Sequence, residues 1–336
     1  MPSPARAAAP EVSLSELAPE AALRRLELQI VRRLDGFLHG EHLGLLPGPG
    51  TDLAEARFYV PGEDDVRRMD WAVTARTTIP HVRDVIADRE LETWSLVDLS
   101  PSMHFGTAAL EKRDLAVAAV ATMGLLTFRV GDRFGALVLR DGQLKRWPAR
   151  TGRLALFGLL RSLLRETNVD GGTPDQTLAE SISRMGRSPR RRGLRVVVSD
   201  FLDREDVVAL GDGTDVDTPP SWERPLRQLA SRHHVIAIEV IDPRELDIPD
   251  VGTILMRDAE SGQVRELHTS SRRVRATYAA AARLQRERTA RAMRRSGVGH
   301  LVLRTDKPWL TEFARFALTH RRMAADLRRR RTGVAR

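Results

Sequence analysis

The chain predicts a mostly parallel α/β sheet covered by helices on both faces, preceded by a small β-rich module. Three observations carry this reading. From Thr93 onward, short apolar runs alternate with segments of helical length rich in Ala and Leu. Several of those runs, Leu194 to Ser199 and Val235 to Ile241 among them, are apolar nearly throughout, broken inside only by Arg195 and Glu239, as strands buried on both faces are. The stretch 51–90, by contrast, holds strand-like pieces and turn signals but no helical period.

Taken in order, residues 1–19 are rich in Ala, Pro and Ser and read as a flexible tail. Leu23, Leu26, Ile30, Leu34 and Phe37 then recur at spacings of three and four, which predicts an amphipathic helix over 20–38. That helix and the β-rich segment make a first unit, 20–90, with strands at Phe58–Val60 and His81–Ile86 and a turn at Pro61-Gly62. The main domain spans 91–326. It opens with a strand at Thr93–Asp98 and a helix at Glu111–Arg129. A strand at Arg133–Arg140 turns through Asp141-Gly142 into Gln143–Trp147. Helices at 151–166 and 175–186 lead to the strand Leu194–Ser199, and a helix near 222–232 leads to the strand Val235–Ile241. The last strand is Leu301–Arg304 and the last helix 308–326. Residues 211–221 form a polar loop. Residues 253–269 read as a hairpin around Glu260-Ser261-Gly262, expected to join the early β module. Arg272–Arg295 is a long basic helix, and 327–336 is a basic tail.

Composition narrows the function. With 336 residues, 42% hydrophobic and 29% charged, the chain can bury a sizeable core and reads as a soluble protein. It has no cysteine, which excludes disulfides and thiolate metal sites and fits a reducing cytoplasm. The longest largely apolar stretch, Leu115–Phe128, falls short of the roughly 20 residues that cross a bilayer and reads as a buried helix flanked by Lys112, Arg113 and Arg129. The N-terminus lacks the charged-then-apolar order of a secretory signal, so the expected location is cytoplasmic, without membrane insertion. The formal charge is +9, and only Lys112, Lys145 and Lys307 are lysines. An arginine-rich nucleic-acid binder is therefore an alternative, but the arginines are scattered and aromatics make up only 5%.

In open α/β sheets ligands bind beyond the carboxyl ends of the strands. The first core strand ends in Asp98-Leu99-Ser100-Pro101-Ser102, and the strand at 194–199 runs into Asp200. Between them Gly171-Gly172-Thr173-Pro174 precedes a helix. Two carboxylates and three hydroxyls, all oxygen ligands, suit one hard divalent cation, magnesium first and manganese second. Neutral hydroxyls leave such a cation electron-poor, with a position for a carboxylate from a partner. The alternative is that Asp98, Ser100 and Asp200 only cap helices. No third carboxylate stands out at a strand end, which weakens the further alternative of a metal-dependent phosphoester hydrolase.

Asp98, Ser100, Ser102, Thr173 and Asp200 resemble the metal-ion-dependent adhesion site of the von Willebrand factor A family, D-x-S-x-S followed by a distant Thr and a distant Asp. The resemblance implies a von Willebrand factor A-like, doubly wound sheet and a non-enzymatic, metal-dependent protein-binding module. Upstream, Arg57 to Trp71 (RFYVPGEDDVRRMDW), Ala75-Arg76-Thr77 and Val82-Arg83 resemble a bacterial family catalogued as domain of unknown function fifty-eight. That resemblance covers roughly 40–320. It implies an adaptor or regulator working with a MoxR-type AAA+ ATPase in complex assembly or maturation, with an acidic protein as ligand and no small-molecule substrate. Arg57, Asp64, Asp65, Arg67, Asp70, Arg76 and Arg83 alternate in sign, and an ion-pair network locking the β module to the main domain is the favoured reading, with partner docking as the other. Trp71 is expected to be a packed anchor. There is no P-loop, no G-x-S-x-G elbow and no H-E-x-x-H. His104 is read as a loop residue.

Overall fold

A strand with apolar side chains on both faces needs a helix layer on each, and the computed structural model shows how that cover is laid down. It describes residue 30 and residues 56–60, 69–83, 92–108, 110–128, 132–165, 176–187, 193–202, 218–257 and 264–319. The early segment pairs β1 (Ala56–Phe58) antiparallel with β2 (His81–Arg83), with helix α1 (Trp71–Thr77) between them. The chain continues through β3 (Glu92–Asp98), α2 (Lys112–Phe128), β4 (Arg133–Arg140), β5 (Gln143–Arg150), α3 (Arg153–Arg165) and α4 (Leu178–Arg187). Then come β6 (Leu194–Ser199), α5 (Glu223–Ala230), β7 (His234–Ile241), β8 (Thr253–Arg257) and β9 (Val264–His268). Helix α6 (Arg272–Ser296), β10 (Gly299–Arg304) and a helix at 309–319, α7, complete it.

Six strands form one sheet in the order β5-β4-β3-β6-β7-β10, parallel except for the antiparallel edge strand β5. This is the doubly wound, mostly parallel sheet expected from the sequence. The winding reverses at β3: the chain moves outward to β4 and β5, then returns to β6 on the other side. The crevice that such a reversal opens lies at the carboxyl ends of β3 and β6.

Period-two patterning divides the core between the two faces. Val97, Leu99, Val196, Val198, Ile238 and Leu303 pack with α2, α3 and α7 on one side. Trp94, Leu96, Val197, Ala237 and the apolar residues of α4, α5 and α6 pack on the other. The β4–β5 turn takes a left-handed backbone at Asp141 (φ 47°) and Gly142 (φ 71°), which matches the twist of a two-residue hairpin.

Three features depart from the sequence reading. Helix α1 lies where no helix was expected, because it buries none of its residues and so leaves no apolar period to read. Its signal is Asp70, which accepts hydrogen bonds from the N–H groups of Ala72 and Val73 as an N-cap. Trp71, expected as a packed anchor, is 67% exposed at the first position of that helix. The β8–β9 hairpin forms its own two-stranded sheet, and among the described residues no ladder joins it to β1 and β2. It is tied instead to α6, through Arg275 to the Thr269 carbonyl (2.5 Å) and to Asp250 (3.1 Å). Of the predicted N-terminal helix only Ile30 lies within the described residues. It is helical and buried in the α2/α3/α7 core.

Candidate functional site

Alternation along the loop after β3 separates anchors from donors. Leu99 and Met103 are fully buried, and the Leu99 N–H donates to the Leu139 carbonyl at 2.8 Å, so the loop is fixed from below. Asp98, Ser100 and Ser102 take the alternate positions. Pro101 starts a 3-10 turn over Pro101–His104, where its missing N–H costs nothing. Ser100 stands at the cap position of that turn, yet its hydroxyl makes no cap hydrogen bond; it faces the Ser102 hydroxyl at 3.2 Å. Helix capping therefore does not account for Ser100.

Asp98 is buried at the carboxyl end of β3. Its Oδ1 accepts the Ser100 N–H (2.9 Å) and its Oδ2 accepts the Ser199 hydroxyl (2.6 Å) from the neighbouring end of β6. Burial, and then the charge of Asp200, push the Asp98 carboxyl up to about 6, against the pull of the bonds from Ser199 and Ser100. Asp200 is also buried, one residue beyond β6; its Oδ1 accepts the Leu202 N–H at 3.1 Å. Phe201 follows with a left-handed backbone (φ 56°), which costs an L-residue about 1–2 kcal/mol. Its fully buried ring packs edge-on against Trp222 (5.1 Å between centroids), and its N–H donates to Ser199 Oγ at 3.0 Å. These contacts hold the bend that carries the chain away just after Asp200.

Lys112, the first residue of α2, is a participant the sequence reading missed. Read there only as a flank of an apolar run, it is fully buried, and its ammonium donates to Asp200 Oδ2 at 2.8 Å and Glu245 Oε1 at 2.5 Å. Burial disfavours this ammonium, but the charges of Asp200 and Glu245 hold it well above lysine's ordinary value, so it stays protonated. Burial raises the Glu245 carboxyl, with Lys112 opposing. No local signal marks Lys112, because its partners lie 88 and 133 residues away.

The expectation that no further carboxylate stands at a strand end also needs correction. Asp242 follows β7 directly and is fully buried, and Glu245 closes the 3-10 turn Pro243–Glu245 beyond it. Both are engaged. Asp242 accepts the N–H and hydroxyl of Thr107, the Arg244 N–H and the Thr305 hydroxyl, all within 2.6–2.9 Å. Glu245 accepts from Lys112 and, at 2.9 Å, from the Asp242 N–H.

The structure thus brings together Asp98, Ser100, Ser102 and Asp200, with Ser199 and Lys112, at the reversal of the sheet. Thr173 lies outside the described residues, as do Asp64, Asp65 and Arg67. Asp70 caps α1, the exposed Arg76 donates to the Ala72 carbonyl (3.2 Å), and Arg57 and Arg83 pair with Val82 and Ala56 across β1–β2. Among the described residues no group of three or more His, Cys, Asp or Glu is placed to hold a metal. The site's donors are instead two carboxylates and two half-exposed hydroxyls, an all-oxygen set that fits one hard divalent cation and no soft one. Among the described residues no helix is long and apolar enough to cross a membrane.

Comparison with known proteins adds lineage. Residues 55–288 match the family model described as protein of unknown function DUF58. An uncharacterized protein of Mycobacterium tuberculosis is 50% identical over 304 residues, covering 90% of each chain. One from Mycobacterium avium is 38% identical over 181 residues, 54% of this chain and 97% of that one. Among solved structures, the conserved hypothetical protein BatB from Bacteroides thetaiotaomicron aligns over 69% of this chain and 99% of its own at 15% identity, with a TM-score of 0.40. A von Willebrand factor type A protein from Catenulispora acidiphila aligns over 70% of this chain and 42% of its own at 14% identity, with a TM-score of 0.32.

Proposed function

The chain belongs to the DUF58 family, and on that premise we propose that it is a non-enzymatic, cation-dependent protein-binding module. One observation supports this above the rest. Two buried carboxylates, Asp98 and Asp200, end the two strands that flank the reversal of the sheet, with the Ser100 and Ser102 hydroxyls on the solvent side. The residues that would hold the cation are Asp98, Ser100, Ser102 and Asp200, with Thr173 as the fifth ligand of the resembled motif. Magnesium is the favoured ion and manganese the second. The bound cation supplies an open coordination position for a partner's carboxylate. The chain's own residues bury the acidic ligands, fix Asp98 through Ser199, and present the hydroxyls outward. Hydrolysis needs a free general base as well as the cation. Asp242 and Glu245 are the neighbouring candidates, and hydrogen bonds already occupy both. The proposed physiological setting, from the family resemblance, is adaptor or regulator to a MoxR-type AAA+ ATPase, with an acidic protein as ligand.

The test is calorimetric titration of magnesium into wild type and Asp98→Ala, followed by capture of a purified cognate MoxR-type ATPase with and without chelator. Wild type should bind one cation and capture the partner only in its presence; Asp98→Ala should do neither while keeping its circular dichroism spectrum. Capture that persists in chelator or in Asp98→Ala overturns the proposal.

A further inference from the structure

Lys112 is a positive charge buried against Asp200, one of the ligands proposed above for a divalent cation, and its burial cost calls for a matching benefit. Its ammonium lies 2.8 Å from Asp200 and 2.5 Å from Glu245, with no exposed surface of its own. The charge count shows what it does. Asp98, Asp200 and Glu245 bring three carboxylates and Lys112 one ammonium, so these four groups sum to two negative charges, while the neighbouring Asp242 spends its oxygens on Thr107, Arg244 and Thr305. One divalent cation neutralises that sum. Without Lys112 the loaded cluster would still be negative and would repel an incoming carboxylate. With Lys112 but without Glu245 it would be positive, and would hold the metal more weakly.

We infer that Lys112, balanced by Glu245, is the specificity-determining residue of this site: it gives up cation affinity so that the loaded site accepts an acidic ligand. This rests on the cation-dependent reading above and adds a residue that the five-ligand motif does not contain. Electrostatics in a buried site act over several ångströms at low effective dielectric, so a charge change at Lys112 or Glu245 reaches the cation and its ligand alike. The two residues enter with opposite sign, which separates this role from that of a mere structural prop. A prop would be weakened by the loss of either member, and both losses would then move cation binding in one direction.

The experiment compares wild type, Lys112→Met, Glu245→Gln and the double variant. Each is titrated with magnesium by calorimetry. The magnesium-loaded proteins are then titrated, by fluorescence anisotropy, with a labelled pentapeptide carrying one aspartate, with its asparagine counterpart as control. Lys112→Met should bind magnesium about tenfold more tightly and the peptide about tenfold more weakly. Glu245→Gln should shift both constants the opposite way, and the double variant should return close to wild type. Shifts of the same sign in both single variants, or an unchanged magnesium constant in Lys112→Met, overturn the inference while the cation-dependent reading stands. If Lys112→Met does not fold, Glu245→Gln decides alone: weaker magnesium with tighter peptide supports the assignment, and unchanged constants overturn it. Wild type that binds no magnesium removes the cation-dependent reading itself, and this inference with it.

Discussion

Asp242, directly after β7, accepts four hydrogen bonds on its two carboxylate oxygens, and through them it ties together three parts of the sheet's carboxyl edge. Thr107 comes from the loop before α2, Arg244 from the turn after β7, and Thr305 from the end of β10. Burial pushes this carboxyl up, but the bonds from Thr107, Arg244 and Thr305 outweigh it and hold the carboxyl below its ordinary value. A depressed carboxylate contributes stability that is present above its unfolded pKa, near 4, and lost as pH falls through the folded value. Asp242→Asn should therefore lower stability by about 2–4 kcal/mol at neutral pH, since an amide turns an N–H toward donors. The difference in melting temperature from wild type should hold down to about pH 5 and shrink below about pH 4; a difference that stays constant in acid would show that shape, and not charge, holds the edge. At this scale the sequence is uneven evidence. Asp98, Ser100, Ser102 and Asp200 are legible because strand ends can be located and their next residues read. Lys112 and Glu245 are not, because each sits among ordinary surface-type charges, and only the folded topology shows which of them lose water.

Elements were legible in proportion to what they bury. β3, β4, β6 and β7 read correctly to within a residue at each end, because burial on both faces leaves an apolar run with polar punctuation. β5 was recognised through its Asp141-Gly142 turn and runs on to Arg150, beyond the Trp147 expected, because its residues are mostly exposed and carry no pattern. Helix α1 is the extreme case. It buries nothing, and it stands on its Asp70 cap and on the Thr78 N–H donating back to the Thr74 carbonyl (2.8 Å). Asp70→Ala should cost about 1 kcal/mol. The loss should be local: amide exchange at Thr74 to Thr78 should accelerate about fivefold while the global melting temperature hardly moves. A large global shift would instead place Asp70 in the ion-pair network first expected for it.

At the scale of the molecule, part of the formal charge of +9 is engaged inside the fold along α6. Arg286 pairs with the buried Glu239, Arg295 with Glu223 (3.0 Å), Arg275 with Asp250, and the buried Arg288 donates to the Thr218 carbonyl (2.8 Å). These arginines hold α6 to the sheet, the α5 end and the hairpin, so much of the basic excess on this helix serves tertiary structure. The N-terminal segment poses the remaining question of organisation. A division at residue 90 separates a first unit from the main domain, yet Ile30, inside that first unit, is 1% exposed in the cluster formed by Leu115, Leu156, Leu303 and Phe313. An isoleucine in that position is a piece of the main core, supplied from upstream of the residues that match the family. Ile30→Ala should therefore act on the whole fold. Deleting its buried methyl groups should cost about 2–4 kcal/mol, from lost burial and the cavity left behind. Thermal unfolding followed by tryptophan fluorescence, which reports Trp309 in the same cluster together with Trp94 and Trp222 on the opposite face, should show one transition at a lower temperature. If that transition stays where it is, the segment around Ile30 unfolds on its own, and the main domain closes its core without it.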